Sequence, residues 1–364
     1  MDAVFPFGLS GPTIGYLVLY LFTLVIHVVF MNYVLAGSAY LAVSSIRKEI
    51  AGVGKGDESQ TSRALCDWMP FALSAAITAG VAPLLFVQIL YKRPFYTANL
   101  LLFHRWMSIL PVLIIGFFLL YLLKARNLSM WPRGIRVLVG VGPFLCIAYT
   151  GYAWTENHVL SLREAEWPAF YAAGNMWFQA MELLPRFLLW AFGAIPTMCL
   201  LVVWQLRFLE RRGQAVSVGD YARLARIALA SLVCAAVCAV WYFAARTEGT
   251  SQSATASVYR PYAVLFGFGL ILETWGWITI AGRGDTRPLS RWVITVGLMA
   301  SIVGATVLRE SIRIAAVDIS AMRQLHEKAA SVGGLPVFLG FFVINAVLIA
   351  WCFRIVRRGV KAPV

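Results

Sequence analysis

The segment IGYLVLYLFTLVIHVVFMNYVLAGSAYLAV, residues 14–43, decides the fold of this chain. It contains no Asp, Glu, Lys or Arg. About 20 apolar helical residues cross the hydrocarbon core of a bilayer, because each residue of a helix adds about 1.5 Å. Barrel strands alternate in polarity and are about half as long. The segment therefore predicts a transmembrane helix.

Similar apolar runs recur along the whole chain. Of its 364 residues, 60% are hydrophobic and 13% are charged, and the mean hydropathy is +0.75. This composition excludes a soluble globular protein, which carries about twice as many charged residues. The connections are short and no internal repeat is visible, so we predict one integral membrane domain over residues 1–364. The predicted fold is an all-α polytopic membrane helix bundle of about nine transmembrane helices, at 13–46, 68–91, 104–123, 135–154, 185–206, 222–245, 260–281, 291–308 and 336–353.

The distribution of positive charge predicts the orientation of these helices. The chain has 31 Lys and Arg residues against 17 Asp and Glu, for a net charge of +14. Twenty of the 31 fall on one side of the predicted bundle. Since cytoplasmic loops carry the excess of Lys and Arg, we predict an external N-terminus and a cytoplasmic C-terminus. We expect a multi-pass protein of the bacterial cytoplasmic (inner) membrane, with the lipid bilayer and not nucleic acid as the partner of its positive charge.

The six cysteines give no sign of a metal centre. Most lie inside apolar runs, and none forms a CxxC or CxxCH motif. We therefore expect no c-type haem, no Fe–S cluster and no zinc site.

Two of the four histidines lie inside predicted spans. His27 and His104 each precede a cytoplasmic charge, Arg47 and Lys124, by twenty positions on helices that run in the same direction. They should therefore lie at equal depth near the outer face. Two imidazoles that face each other across a gap are the ligands of a low-spin b-type haem. The same spacing also fits a histidine bonded to a backbone carbonyl, or a His104 at the membrane interface.

The other two histidines, His158 and His326, fall in predicted external loops and are interpreted as surface residues.

Several charged residues lie near the outer ends of spans, where an arginine could hold a haem propionate or form an ion pair such as Arg309 with Glu310. The tyrosines and tryptophans at span ends, Tyr91 among them, are interpreted as an aromatic belt. The candidate buried charges are Glu182, Arg186, Arg260, Glu273, Arg309, Glu310 and Arg313.

Glu273 lies deeper than the other charges, in the sequence Leu272-Glu273-Thr274-Trp275. A carboxyl group at this depth is a candidate for function, because ionisable groups are expensive in hydrocarbon. The sequence leaves two interpretations open, a proton path and a pairing with a neighbouring helix.

The spans resemble subunit I of cytochrome bd-type oxidases, a subunit of nine helices with an external N-terminus. The short matches occur in the same order along most of the chain. They are Ile26-His27-Val28-Val29-Phe30 with Leu35 and Gly37 (the family's HxxF…G), Gly80-Val81-Ala82 through Gln88 to Phe95 (its GVATG segment), His104-Arg105-Trp106-Met107 (its EGLM), Tyr259-Arg260-Pro261-Tyr262 (its FRxM) and Arg309 (the arginine of its GRQPW).

This sequence also departs from the family at positions that matter. The two ligands of the family's quinol-side haem align with Leu188 and Tyr262, and a glutamate ligand of a second haem aligns with Thr306. The family's long quinol-binding loop is reduced to about 246–258. The resemblance therefore implies that two of three haem sites have lost protein ligands. The site that survives would lie between His27 and His104.

Together, the histidines and the resemblance imply an integral membrane subunit of a respiratory electron-transfer complex, itself part of an oxidoreductase. It would hold one b-type haem near the outer face, ligated by His27 and His104, and exchange electrons with a c-type cytochrome or a partner membrane subunit. Two axial nitrogens leave no free position for O₂, so electron transfer is expected. The expected cationic partners of the haem are Arg105, Arg186, Arg260 and Arg309.

Two alternatives stay open at this point. One is a cofactor-free membrane anchor or assembly subunit of a redox complex, which would be favoured by a lipid-facing orientation of either histidine. The other is a bd-like terminal oxidase subunit with substitute ligands. The sequence does not decide whether a quinone binds.

Overall fold

The computed structural model describes residues 11–51, 59–245, 260–283, 287–315, 324, 326, 328 and 334–361. The predicted short loop at 246–258 lies outside these ranges. Within them the chain is helical, with short turns and no strand. The α-helices are α1 (Gly11–Ala51), α2 (Gln60–Leu90), α3 (Lys92–Leu101), α4 (Phe103–Leu123), α5 (Arg133–Ser161), α6 (Trp167–Ala172), α7 (Leu183–Arg211), α8 (Val218–Ala245), α9 (Arg260–Arg283), α10 (Pro288–Ala315) and α11 (Gly334–Lys361).

Nine of these described helices are long and apolar enough to cross a membrane; they are α1, α2, α4, α5 and α7–α11. Only helices and closed barrels satisfy all their backbone hydrogen bonds in lipid, which explains why apolar runs of this length fold in this way. The prediction of an all-α polytopic bundle with nine spans is confirmed. The direction of the termini and the single domain stay predictions.

The chain divides into two compact units, and the smaller one comprises Met1–Leu17 and Asp318–Val364. In this unit the Thr13 hydroxyl lies 2.8 Å from Nδ1 of His326, which is 1% exposed. The interpretation of His326 as a surface residue was wrong. A buried imidazole is tolerated here because a hydroxyl group satisfies it.

The larger unit, Val18–Val317, holds the main core. Fully buried side chains from α1, α2, α7 and α8 pack together, among them Leu35, Leu65, Met198 and Leu224. Polar side chains also link these helices: Asn32 of α1 donates to Thr197 of α7 at 3.1 Å. The middle of α7 lies inside this core on every side, because the consecutive residues 196–200 are all buried.

Two element boundaries differ from the prediction in a way that matters for the site. The chain turns at Tyr91 and continues as the short helix α3 before α4 begins at Phe103. Helix α5 runs on to Ser161, well beyond its apolar run. It can do so because its polar last turns are covered by other segments: Glu156 and Asn157 are almost completely buried. His158 is therefore on a helix, and its interpretation as a loop residue was wrong.

Candidate functional site

His27 lies on the face of α1 that packs against α2. Its Nδ1 atom is 2.9 Å from the carbonyl oxygen of Ala76. The ring fills the space above Gly80, where an added Cβ atom would come within 2.7 Å of the imidazole Cε1. Because a carbonyl only accepts hydrogen bonds, Nδ1 carries the hydrogen and Nε2 keeps its lone pair. A histidine held in this way has the orientation and tautomer of a metal ligand.

His104 has a different environment. It is exposed, and its ring packs edge-on against Phe103 with 5.6 Å between the ring centroids. The exposed side chains of α4 recur at helical spacing along the stripe that holds His104, Met107, Ile114, Phe118 and Tyr121. His104 therefore belongs to the outer surface of α4. The core-facing residues of this helix, such as Leu120, lie on another face.

Arg105 is bound to a carboxylate. Its Nε atom lies 2.7 Å from Oε2 of Glu156, which is 0% exposed, and its guanidinium packs over the rings of Tyr149, Tyr152 and Trp177. The other carboxylate oxygen of Glu156 accepts the backbone N–H of Phe178 at 2.7 Å. Arg105, which the sequence predicts as a partner of a haem propionate, is thus already neutralised by Glu156.

A buried polar cluster occupies the end of the larger unit where α2, α5 and α10 meet α1. We call it the His158 cluster; its members are Tyr20, Tyr91, His158, Glu310 and Arg313. Arg313, 6% exposed, donates to Nδ1 of His158 and to the Tyr20 hydroxyl at 3.1 Å, and it pairs with Glu310 at 3.6 Å. The Tyr91 hydroxyl donates to Glu310. The predicted pairing of Arg309 with Glu310 is thus replaced by one between Arg313 and Glu310, one turn apart.

His158 has the opposite tautomer to His27. An arginine can only donate, so Nδ1 of His158 accepts from Arg313 and the hydrogen of the neutral ring sits on Nε2. That Nε2–H group is buried and has no hydrogen-bond partner in the described chain. His158 therefore presents a donor where His27 presents a lone pair. Of the two, only His27 is prepared to ligate a metal.

Two further arginines approach these histidines. Arg309 of α10 is an electrostatic neighbour of both His27 and His158, and Arg186 of α7 is a neighbour of Arg309. Arg186 also packs over the ring of Tyr242 at 5.7 Å. Arg313 also acts on Arg186 and His158, so three guanidinium groups lie in this region, with the carboxylates of Glu182 and Glu310 as their counter-charges. This excess of positive charge can bind an anionic group. Arg260, by contrast, is exposed at the start of α9.

A cleft opens beside the His158 cluster. Its wall is largely apolar and aromatic, and the polar groups that reach it come from Tyr91, Asn157, His158, Ser161 and Arg313. Burial, followed by the charge of the Glu310 carboxylate, raises the pKa of the Tyr91 hydroxyl well above its ordinary value. Tyr91 is therefore a buried hydrogen-bond donor at neutral pH, and its interpretation as part of an aromatic belt was wrong. The lining residues are Val87, Tyr91, Pro94, Phe95, Trp154, Asn157, His158, Ser161, Leu162 and Arg313.

The sequence predictions missed Glu156 and the role of His158, because both lie beyond the end of the apolar run of α5. One signal was available. Glu156, Asn157 and His158 continue the helix without a Gly or Pro before Pro168. Of the predicted site residues, the structure brings His27, Arg186 and Arg309 to one region and leaves His104, Arg105 and Arg260 in other surroundings.

No protein-family model, no curated protein and no solved structure matches this chain.

Proposed function

We propose that this chain is an integral membrane subunit of a respiratory electron-transfer complex and that it holds one b-type haem on His27. The observation that carries the proposal is the hydrogen bond from His27 to the Ala76 carbonyl, which leaves Nε2 free to bind iron. The close approach of Gly80 fixes the ring, because any larger residue would displace it.

The arginines support the same site. Arg309 acts on His27 and Arg186 acts on Arg309, and neither arginine forms an ion pair with a carboxylate of the described residues. They are suited to the two propionates of a haem, whose negative charge would balance the excess of guanidinium groups. A bound haem would supply a one-electron redox step, and the residues named here would orient it and compensate its charge.

His104 does not fit as the second ligand of a haem held inside the described chain, because it belongs to the exposed stripe of α4. Arg105 does not fit as a propionate partner, because Glu156 pairs with it. The proposal therefore keeps His27, Arg186 and Arg309 from the residues predicted by sequence. Of these three residues, His27 and Arg309 are also positions that match in the resemblance to cytochrome bd-type oxidases.

The proposed setting is the bacterial inner membrane, with the N-terminus outside. The His158 cluster then lies at the outer end of the bundle, on the side where a c-type cytochrome would exchange electrons. Other membrane subunits are the second class of partner we propose, since α4 exposes an apolar face along its whole length.

Haem content of the purified protein tests this proposal. We expect a b-type pyridine haemochrome spectrum in the wild type, its loss in His27→Ala, and its retention in the matched control His104→Ala. A wild-type protein expressed with excess haem that shows no b-type spectrum, or a His27→Ala variant that keeps it, would overturn the proposal.

A second candidate function is a cofactor-free membrane anchor or assembly subunit. The outward position of His104 favours it, because that position removes half of the predicted ligand pair. An anchor subunit would co-purify with redox partners yet show no haem of its own after separation from them. The spectrum of the isolated chain therefore distinguishes the two functions.

A further inference from the structure

Helices α9 and α10 touch through their backbones. A Cβ atom added to Gly269 would lie 2.5 Å from the backbone nitrogen of Ser301, and one added to Gly297 would lie 2.6 Å from that of Glu273. Small residues allow this close approach between membrane helices. The contact leaves no room for another side chain between the two backbones at these positions.

Glu273 is enclosed at this contact. It is 2% exposed, and its Oε1 atom accepts a hydrogen bond from the Ser301 hydroxyl at 3.3 Å. Its Oε2 atom is buried without a hydrogen-bond partner in the described chain. One turn further along α9, Trp277 is 0% exposed, and its indole N–H is also buried without a hydrogen-bond partner in the described chain.

No cation of the described residues compensates this carboxyl group. Ser301 faces it from α10, and among the described residues Glu273 forms no ion pair with a charged side chain of α8, α9 or α10. Because the group is enclosed, a cation from another subunit or from water has no direct access. Glu273 also lies near the middle of the span Arg260–Gly282, where a charge is most expensive. A carboxylate there would carry its full desolvation cost, whereas a carboxylic acid avoids it.

We propose that Glu273 is a proton-binding site inside the membrane, with the proton on Oε2 and the Ser301 hydroxyl bonded to Oε1. The bound ligand is one proton, taken up by the carboxylate to give the neutral acid, and no other reactant takes part. Of the two interpretations that the sequence left open, this selects proton binding over a charge pair between helices. The site shares no contact residue with His27 and does not depend on a haem.

The test is an NMR spectrum of the full chain in lipid nanodiscs, labelled with ¹³C at the glutamate side-chain carboxyl carbon. The Glu273 resonance is assigned by its absence in Glu273→Gln, and a reference resonance by its absence in Glu210→Gln. Glu210 is a partly exposed carboxylate paired with Arg207, so it reports the ionised form. We expect the Glu273 carbon at the position of a protonated acid and the Glu210 carbon at the position of a carboxylate, at neutral pH.

A second variant keeps the test valid if Glu273→Gln does not fold. Ser301→Ala removes the one hydroxyl bonded to Glu273 and should shift the Glu273 resonance while the Glu210 resonance stays in place. A Glu273 carbon at the carboxylate position in the wild-type spectrum, assigned by either variant, would overturn the proposal.

Discussion

The His158 cluster and the α9–α10 contact handle buried polar groups in two different ways. In the cluster, side chains from several helices satisfy one another, and Arg313 alone contacts Tyr20, His158 and Glu310. At the α9–α10 contact, Glu273 has one hydroxyl partner and no counter-ion in the described chain. The first region can hold charge because its members compensate each other; the second can hold only a neutral group. A substitution that removes an ionisable group should therefore lower the unfolding free energy strongly in the His158 cluster and hardly at all at the α9–α10 contact.

The largest effect is expected from Arg313→Ala. It leaves Glu310 as an uncompensated buried charge, and breaking a buried pair costs about 3–5 kcal/mol of unfolding free energy. Reversible unfolding in mixed micelles measures this loss. The control is Arg93→Ala, which breaks an exposed pair with Glu164 and should cost about 0–1 kcal/mol. Equal losses in the two variants would contradict the buried network.

A smaller effect is expected from Tyr91→Phe. It removes the hydroxyl that donates to Glu310, and a lost hydrogen bond to a charged group costs about 1.5–3 kcal/mol. Tyr96→Phe is the control, since Tyr96 is exposed and the loss of the hydroxyl that donates to Oε1 of Gln88 should change the unfolding free energy little.

The same tyrosine predicts a dependence on pH. Because the pKa of Tyr91 is raised by folding, the unfolded chain loses this proton first, and the stability it contributes is present below about pH 10 and falls as the pH rises further. Tyr91→Phe should reduce this alkaline loss of stability. An unchanged alkaline slope in Tyr91→Phe would show that Tyr91 is not buried against Glu310.

Gly297→Ala tests the other region. Its added Cβ would meet backbone atoms of α9, which cannot move aside as a flexible side chain can, so we expect a loss of about 1–3 kcal/mol. Gly267→Ala on α9 is the control, because nothing lies within 4 Å of the added Cβ there. The same unfolding measurement decides: if Gly297→Ala is as stable as Gly267→Ala, the helices are further apart than described.

The smallest effect is expected from Glu273→Gln. A neutral amide of the same shape replaces a neutral acid, so the unfolding free energy should change by less than about 1 kcal/mol. Glu310→Gln is the matched comparison and should cost more, since Arg313 then loses its counter-ion. A larger loss for Glu273→Gln than for Glu310→Gln would reverse the contrast between the two regions.

The sequence predicts the spans well because length and hydropathy alone decide which segments enter a bilayer. It predicts the site only in part. His27 stands out as an ionisable residue within an apolar run, but the sequence gives no measure of which helix face points inward. That is why His104 was paired with His27 although it lies on an exposed stripe. His158 was missed for the opposite reason, since its burial depends on distant segments that cover the end of α5.

The central claim is that His27 ligates a haem, and imidazole rescue tests it most directly. His27→Gly leaves a cavity above Gly80, and added imidazole can occupy it and bind the iron in place of the side chain. We predict that the b-type reduced-minus-oxidised spectrum of the full chain is lost in His27→Gly and returns when imidazole is added, whereas His104→Gly keeps it throughout. A His27→Gly protein whose b-type spectrum equals that of the wild type without imidazole would contradict the account.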